Sequence, residues 1–131
     1  MALRTTCDTV TFVAAADLSD KQYTYVYQSA ANACSAAGDT QNGVGYNVYI
    51  LQNKPASGEL AECAVLGTGQ SLLKVVDSSA SIGTQLMIST GGLGTARVGA
   101  NKYAIAQIDE AVTATLQIVA VDTTKPILVS T

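Results

Sequence analysis

The feature that most limits what this chain can fold into is a two-residue alternation, repeated along its length and cut by turn residues. Val44, Tyr46, Val48 and Ile50 alternate with Gly45, Asn47, Tyr49 and Leu51. Successive side chains of a strand point to opposite faces, so this spacing builds a strand over 44–51 with one apolar face. Residues 9–14 are β-branched and aromatic. Residues 23–28 put Tyr23, Tyr25 and Tyr27 on one face, with Thr24 and Val26 on the other. Residues 59–66 set Ala61, Cys63 and Val65 on one side. Runs at 71–76, 85–89, 103–108 and 113–121 complete the strand series.

Turn chemistry separates these runs. Asn42 and Gly43 favour positive φ, and Pro55 through Gly58 combine a preset φ with a free one. Gly67 and Gly69, then Gly91, Gly92 and Gly94, mark two more reversals. Strands spaced by about 8–12 residues with turns between them predict an all-β chain, a small β-barrel or sandwich with short turns and little helix. Short helical turns are expected only at 14–20, 30–37 and 108–114, because helices this brief are marginal. The 131 residues fit one β domain over 1–121, with a short N-terminal lead. Residues 122–131 follow as a C-terminal strand or a contact arm, since Ile127, Leu128 and Val129 are apolar for a free tail.

The same residues exclude several kinds of chemistry. There is no histidine, which removes Ser-His-Asp and Cys-His nucleophile systems and every histidine-based metal site. The close carboxylate pairs Asp17/Asp20, Glu59/Glu62 and Asp109/Glu110 read as solvated charges. No phosphate-binding glycine motif is complete, and the pair Gly67/Gly69 reads as a plain turn. The expectation is a protein that is not an enzyme and holds no cofactor and no metal. Cys7, Cys34 and Cys63 are odd in number and widely spaced. They read first as buried free thiols, with one disulfide plus a leftover thiol, or an intermolecular bridge, as alternatives. Seven Lys and Arg residues are scattered in a chain of net charge −3, so there is no basic patch for nucleic acid or for a membrane surface. No apolar run reaches the length needed to span a bilayer, and residues 1–8 carry no apolar signal segment. Synthesis in a cytoplasm is the expectation.

The tyrosines are the candidate binding residues. Tyr23, Tyr25 and Tyr27 would make a stacking platform for a sugar or base, or would line a core edge or protein interface, where Tyr is common.

Beyond these patterns, ordered pieces of the chain resemble a family of small phage head proteins, the capsid decoration or cement proteins. Residues 15–23, with Asp17, Leu18, Ser19, Lys21, Gln22 and Tyr23, are similar to the family's opening A-x-D-L-S-x-K-Q-Y. Residues 50–59 are similar to its central V-L-Q-N-K-P-x-x-G-E, through Leu51, Gln52, Asn53, Lys54, Pro55, Gly58 and Glu59. Weaker likenesses follow at 64–75, at 82–96 and at 103–111. The chain departs from the family pattern at Tyr49, where glycine is usual, and in a longer 43–49 segment and tail. The resemblance implies a β-barrel-like structural protein on the outside of a bacteriophage virion. It would stabilise the head by binding the major capsid protein shell, with a second candidate partner in further copies of itself as a homotrimer. A ligand- or glycan-binding β module on the virion surface is the alternative. Candidate interface residues are Tyr23, Tyr25, Tyr27, Gln52, Asn53, Lys54, Pro55, Ile127, Leu128 and Val129.

Overall fold

The computed structural model describes residues 6–42, 45–97 and 102–129, excepting the side chains of 42, 102–105 and 124–129. The fold is all-β. The strands are β1 (Thr9–Ala14), β2 (Tyr25–Ala30), β3 (Ala33–Ala36), β4 (Val48–Leu51) and β5 (Leu60–Val65) in the first half. The second half holds β6 (Gln70–Val75), β7 (Gln85–Ile88), β8 (Gly94–Ala96), β9 (Lys102–Ile108) and β10 (Gln117–Val129). Each half closes on itself as a five-stranded barrel. The first runs β1-β3-β2-β4-β5 and the second β6-β8-β7-β9-β10. Among the described strands closure leaves no free sheet edge, which removes the usual template for edge-to-edge aggregation.

The two barrels share one topology, strand for strand. In each, the first and third strands pair in parallel and every other pair is antiparallel. The registers match as well. Val26 faces Ala36 as Leu86 faces Ala96, and Leu51 faces Cys63 as Ile108 faces Val121. Irregular hydrogen bonds repeat too. Tyr23 N–H donates to Leu51 O at 2.7 Å, and Gly83 N–H donates to Ile108 O at 2.7 Å. Leu51 N–H reaches Thr24 O at 3.0 Å, and Ile108 N–H reaches Thr84 O at 3.0 Å. The turn before the second strand therefore has the same form twice, with Tyr23 (φ 64°) standing where the second half has Gly83 (φ 91°).

Matched interiors use different residues to fill similar space. The first barrel encloses Ala14, Val26, Cys34, Leu51, Ala61 and Cys63, with Phe12 and Tyr49 packed against them. At the equivalent places the second has Val75, Leu86, Gly94, Ile108, Val119 and Val121, with Leu73 and Ala106. Where the first half has the smaller Ala14, Ala61 and Cys63, the second has valine. Where the first has the rings of Phe12 and Tyr49, the second has Leu73 and Ala106. Interiors tolerate such exchanges when total volume is kept.

The outward faces are not equivalent, and this difference joins the halves. Tyr25, Ile50 and Ala64 alternate with the interior residues of the first barrel, yet all three are 0% exposed. They lie in one apolar cluster with Leu73, Val75, Leu86 and Ile88 of the second half. At the equivalent places the second half has Gln85, Gln107 and Asp122, all polar and exposed. Lys74 N–H also donates to Tyr23 O across the joint at 2.8 Å, and Gln52 Nε2 donates to Ser71 Oγ at 3.0 Å. Gly92 lies so close to the β2 backbone that a Cβ there would sit 2.7 Å from Tyr25 O.

The link between halves is the turn at Leu66–Gly69. Thr123, buried on β10, accepts from Gly67 N–H at 3.0 Å and donates to Gly69 O at 2.7 Å. Gly69 is required by space, since a Cβ there would lie 2.6 Å from Thr6 Oγ1.

Several sequence expectations are corrected. The Ala-rich segment 30–37 contains strand β3, not a helical turn. Its backbone pairs with both β1 and β2, and such pairing outweighs a weak helix preference. Segments 14–20 and 108–114 are turns and bridges without helix. The short helical segments are 3₁₀ turns at Asp39–Asn42 and Thr90–Gly92. The strand expected over 44–51 is formed only over Val48–Leu51, and Val44 lies outside the described residues. The last strand begins at Gln117, because Leu116 takes a positive φ of 59° and Gln117 Oε1 accepts from Thr113 and Ala114 N–H. The backbone of 122–129 continues β10 against β9. Cys7, Cys34 and Cys63 are free and buried, and burial pushes the thiols of Cys34 and Cys63 up from their usual value.

Tyr25 gives a direct test of the joint. Its hydroxyl is buried without a hydrogen-bond partner. Tyr25→Phe removes an unsatisfied group and should hold or raise stability by up to about 1 kcal/mol, whereas Tyr25→Ala should cost about 3–5 kcal/mol. Urea unfolding followed by far-UV circular dichroism measures both.

Candidate functional site

The sequence candidates do not gather in one place. Tyr23 precedes β2 in a left-handed conformation, so the strict alternation with Tyr25 and Tyr27 is broken. Tyr25 is interior and presents no surface. Tyr27 is half-buried, and its ring meets Tyr46 edge-on at 5.8 Å and 88°. The three tyrosines therefore form no stacking platform.

The segment after β4 is tied down by its own side chains. Gln52 Nε2 donates to Ile50 O and Ser71 Oγ, both at 3.0 Å, and Gln52 O accepts from Gln22 Nε2 at 2.9 Å. Asn53 Nδ2 donates to Leu60 O and its Oδ1 accepts from Glu62 N–H, each at 3.0 Å. This clamps the turn against β5. Pro55 is buried, and its carbonyl accepts from Leu18 N–H at 2.9 Å. Lys54 is exposed. The side chains of Ile127, Leu128 and Val129 lie outside the described residues, while their backbone pairs with Ala104, Tyr103 and Lys102 of β9.

Two of the surface clefts among the described residues involve tyrosines. One, of about 250 Å³, lies over the joint and is lined by Ser19, Asp20, Gln22, Tyr23, Lys54, Lys74 and Ile118. It unites Tyr23 and Lys54 from the sequence candidates and mixes both signs of charge. The second, of about 200 Å³, is lined by Tyr46, Asn47, Val48, Tyr49, Val65 and Leu66. Tyr49 also packs on Phe12, with ring centroids 5.2 Å apart. Sequence reasoning missed Tyr46 and Tyr49 as a pair. They stand on opposite sides of the strand alternation, and β4 begins only at Val48, which leaves Tyr46 before the strand.

Among the described residues no group of three or more His, Cys, Asp or Glu is arranged to hold a metal ion. No helix among them is long and apolar enough to cross a membrane. Asp109 and Asp122 form an acidic pair on the polar outward face of the second barrel. Gln70 Nε2 donates to Asp109 Oδ2 at 2.6 Å. Burial, and then Asp122, push the Asp109 carboxyl above its usual value, partly offset by Gln70.

No protein-family model matches the chain, and no curated protein matches it. Its fold is similar to a solved structure, the N base of head fiber gp8.5 in bacteriophage phi29. The TM-score is 0.63 at 14% identity, and the likeness covers 92% of this chain and 97% of that one.

Asn53→Ala removes two hydrogen bonds of the clamp and should destabilise the protein by about 1–2 kcal/mol in chemical denaturation. The acidic pair gives a pH signature. A carboxyl whose folded value is raised weakens the fold at neutral pH, and the cost disappears as the pH falls through that raised value. Asp122→Asn should therefore melt above the parent at pH 7, with the difference closing by about pH 4 in thermal scans.

Proposed function

We propose that this chain is a structural protein of a bacteriophage virion that decorates the head and stabilises it by binding the outer surface of the major capsid protein shell. The observation that carries this reading is the fold likeness to a phage head fiber base, which extends over nearly the full length of both chains. The L-Q-N-K-P-x-x-G-E segment at 51–59 supports it independently, through its resemblance to capsid cement proteins.

The physical form suits the task. Two closed barrels share one continuous joint, so the outer surface is held on a stiff frame with no free sheet edge among the described strands. A protein that binds only the assembled shell stabilises that shell by mass action, without any chemical step. Rigidity lowers the ordering cost of such binding. On this reading the protein is made in the host cytoplasm and ends on the capsid exterior.

Purified protein mixed with expanded heads that lack it is expected to co-sediment with them saturably and to raise the temperature at which they break open. Protein that stays in the supernatant, or bare heads that resist heat and low salt as well as decorated ones, would refute the role.

A further inference from the structure

The internal duplication lets the two halves be compared position by position. The second barrel builds the same strands with Met87 where the first has Tyr27, and with Ala106 where the first has Tyr49. In the first half Tyr27 packs on the joint cluster and Tyr49 on the barrel interior, so both rings also serve the fold. In the first half these positions flank the 200 Å³ cleft lined by Tyr46, Asn47, Tyr49 and Val65. Tyr46 is 38% exposed, a large share for a ring already packed on Tyr27.

The lining specifies a ligand class. Among the described residues no charged side chain lines the cleft, so they offer nothing there to a phosphate, a carboxylate or a cation. Tyrosine rings supply apolar faces, while their hydroxyls and the Asn47 amide supply hydrogen bonds around them. Asn47 is held in place: its Nδ2 donates to Gln28 Oε1 at 3.1 Å, and its carbonyl oxygen accepts from Gln28 N–H at 2.9 Å. That leaves Oδ1 as an acceptor not used by either bond. Tyr27 meets Tyr46 edge-on and so fixes the angle of the Tyr46 ring. The volume falls below that of a drug-sized pocket and suits one ring. A neutral sugar ring has the matching form, with an apolar C–H face and hydroxyls around its rim.

We propose that the cleft formed by Tyr46, Asn47 and Tyr49, with Tyr27 as a positioning residue, binds a neutral hexopyranose, the terminal residue of a surface glycan. The site lies in the first barrel alone.

The test uses the full chain and a panel of methyl hexopyranosides at up to tens of millimolar. Six tyrosines and no tryptophan make intrinsic tyrosine fluorescence a clean first readout. Amide chemical shifts of the parent protein locate the site. At least one sugar is expected to bind and to move the Tyr46, Asn47 and Tyr49 amides. Tyr46→Ala should weaken it about tenfold or more, and Asn47→Ala by several-fold, with Gln85→Ala in the second barrel unchanged. Far-UV spectra and thermal scans report folding of each variant. Should Tyr46→Ala fail to fold, Asn47→Ala and the shift map of the parent carry the decision. Absence of binding across the panel overturns the proposal, as does binding that leaves those amides unmoved or survives both substitutions. Head co-sedimentation of Tyr46→Ala separates the two roles. Unchanged attachment with lost sugar binding supports the site, whereas lost attachment without any sugar binding overturns it and marks the cleft as a shell contact.

Discussion

The structure depends on burying the outward face of the first barrel. Tyr25, Ile50 and Ala64 would be ordinary surface positions in an isolated barrel, yet none is exposed. Full burial of a large apolar side chain is worth roughly 1.5–3 kcal/mol. Tyr25 and Ile50 alone therefore contribute about 3–6 kcal/mol, against a net stability of about 5–15 kcal/mol for a small domain. Neither half has a private core large enough to ignore this term. The cluster that fills the second barrel also includes Cys7, Val48 and Leu66 of the first. The halves are two barrels by topology and one body by energetics.

The second barrel does not present the same joint face again. Stacked repeats need end units whose outer faces are polar, or they continue to associate. Gln85, Gln107 and Asp122 occupy the face that would otherwise offer a second copy of the joint. At the other end the β1 backbone is already satisfied, since Val13 N–H donates to Asn32 O at 2.7 Å. The equivalent donor in the second half, Lys74 N–H, is used instead to accept the first half through Tyr23 O. One face is thus spent on cohesion, and the remainder is free for external contacts on a frame that does not yield.

Much of the strand content was legible because alternation and turn residues act locally. The strand at Thr9–Ala14 was read with its observed bounds, and those at Leu60–Val65, Gln70–Val75 and Gln85–Ile88 to within a residue at each end. Strand β3 was hidden by its alanines, whose helix preference is overridden only by partners on both sides. The duplication was hidden for a related reason. Equivalent interior positions conserve apolar character and combined volume, as with Phe12 and Ala61 against Leu73 and Val119, while almost none conserves identity. The tyrosine cleft was half legible. Tyr27 was flagged on its strand face, but Tyr46 and Tyr49 have opposite parity in the sequence, and no alternation rule brings them together.

By itself the sequence determined that the chain is all-β, that its strands are short, and that it lacks the histidine-based groups on which common catalytic sites rely. These follow from residue identity and from spacing of one or two positions. Tertiary structure decided which of two similar apolar faces becomes interior joint and which clefts open at the surface. That choice turns on contacts between the halves, such as Lys74 N–H on Tyr23 O and Tyr25 and Ile50 packed with Leu73 and Leu86, and local spacing carries no information about distant partners.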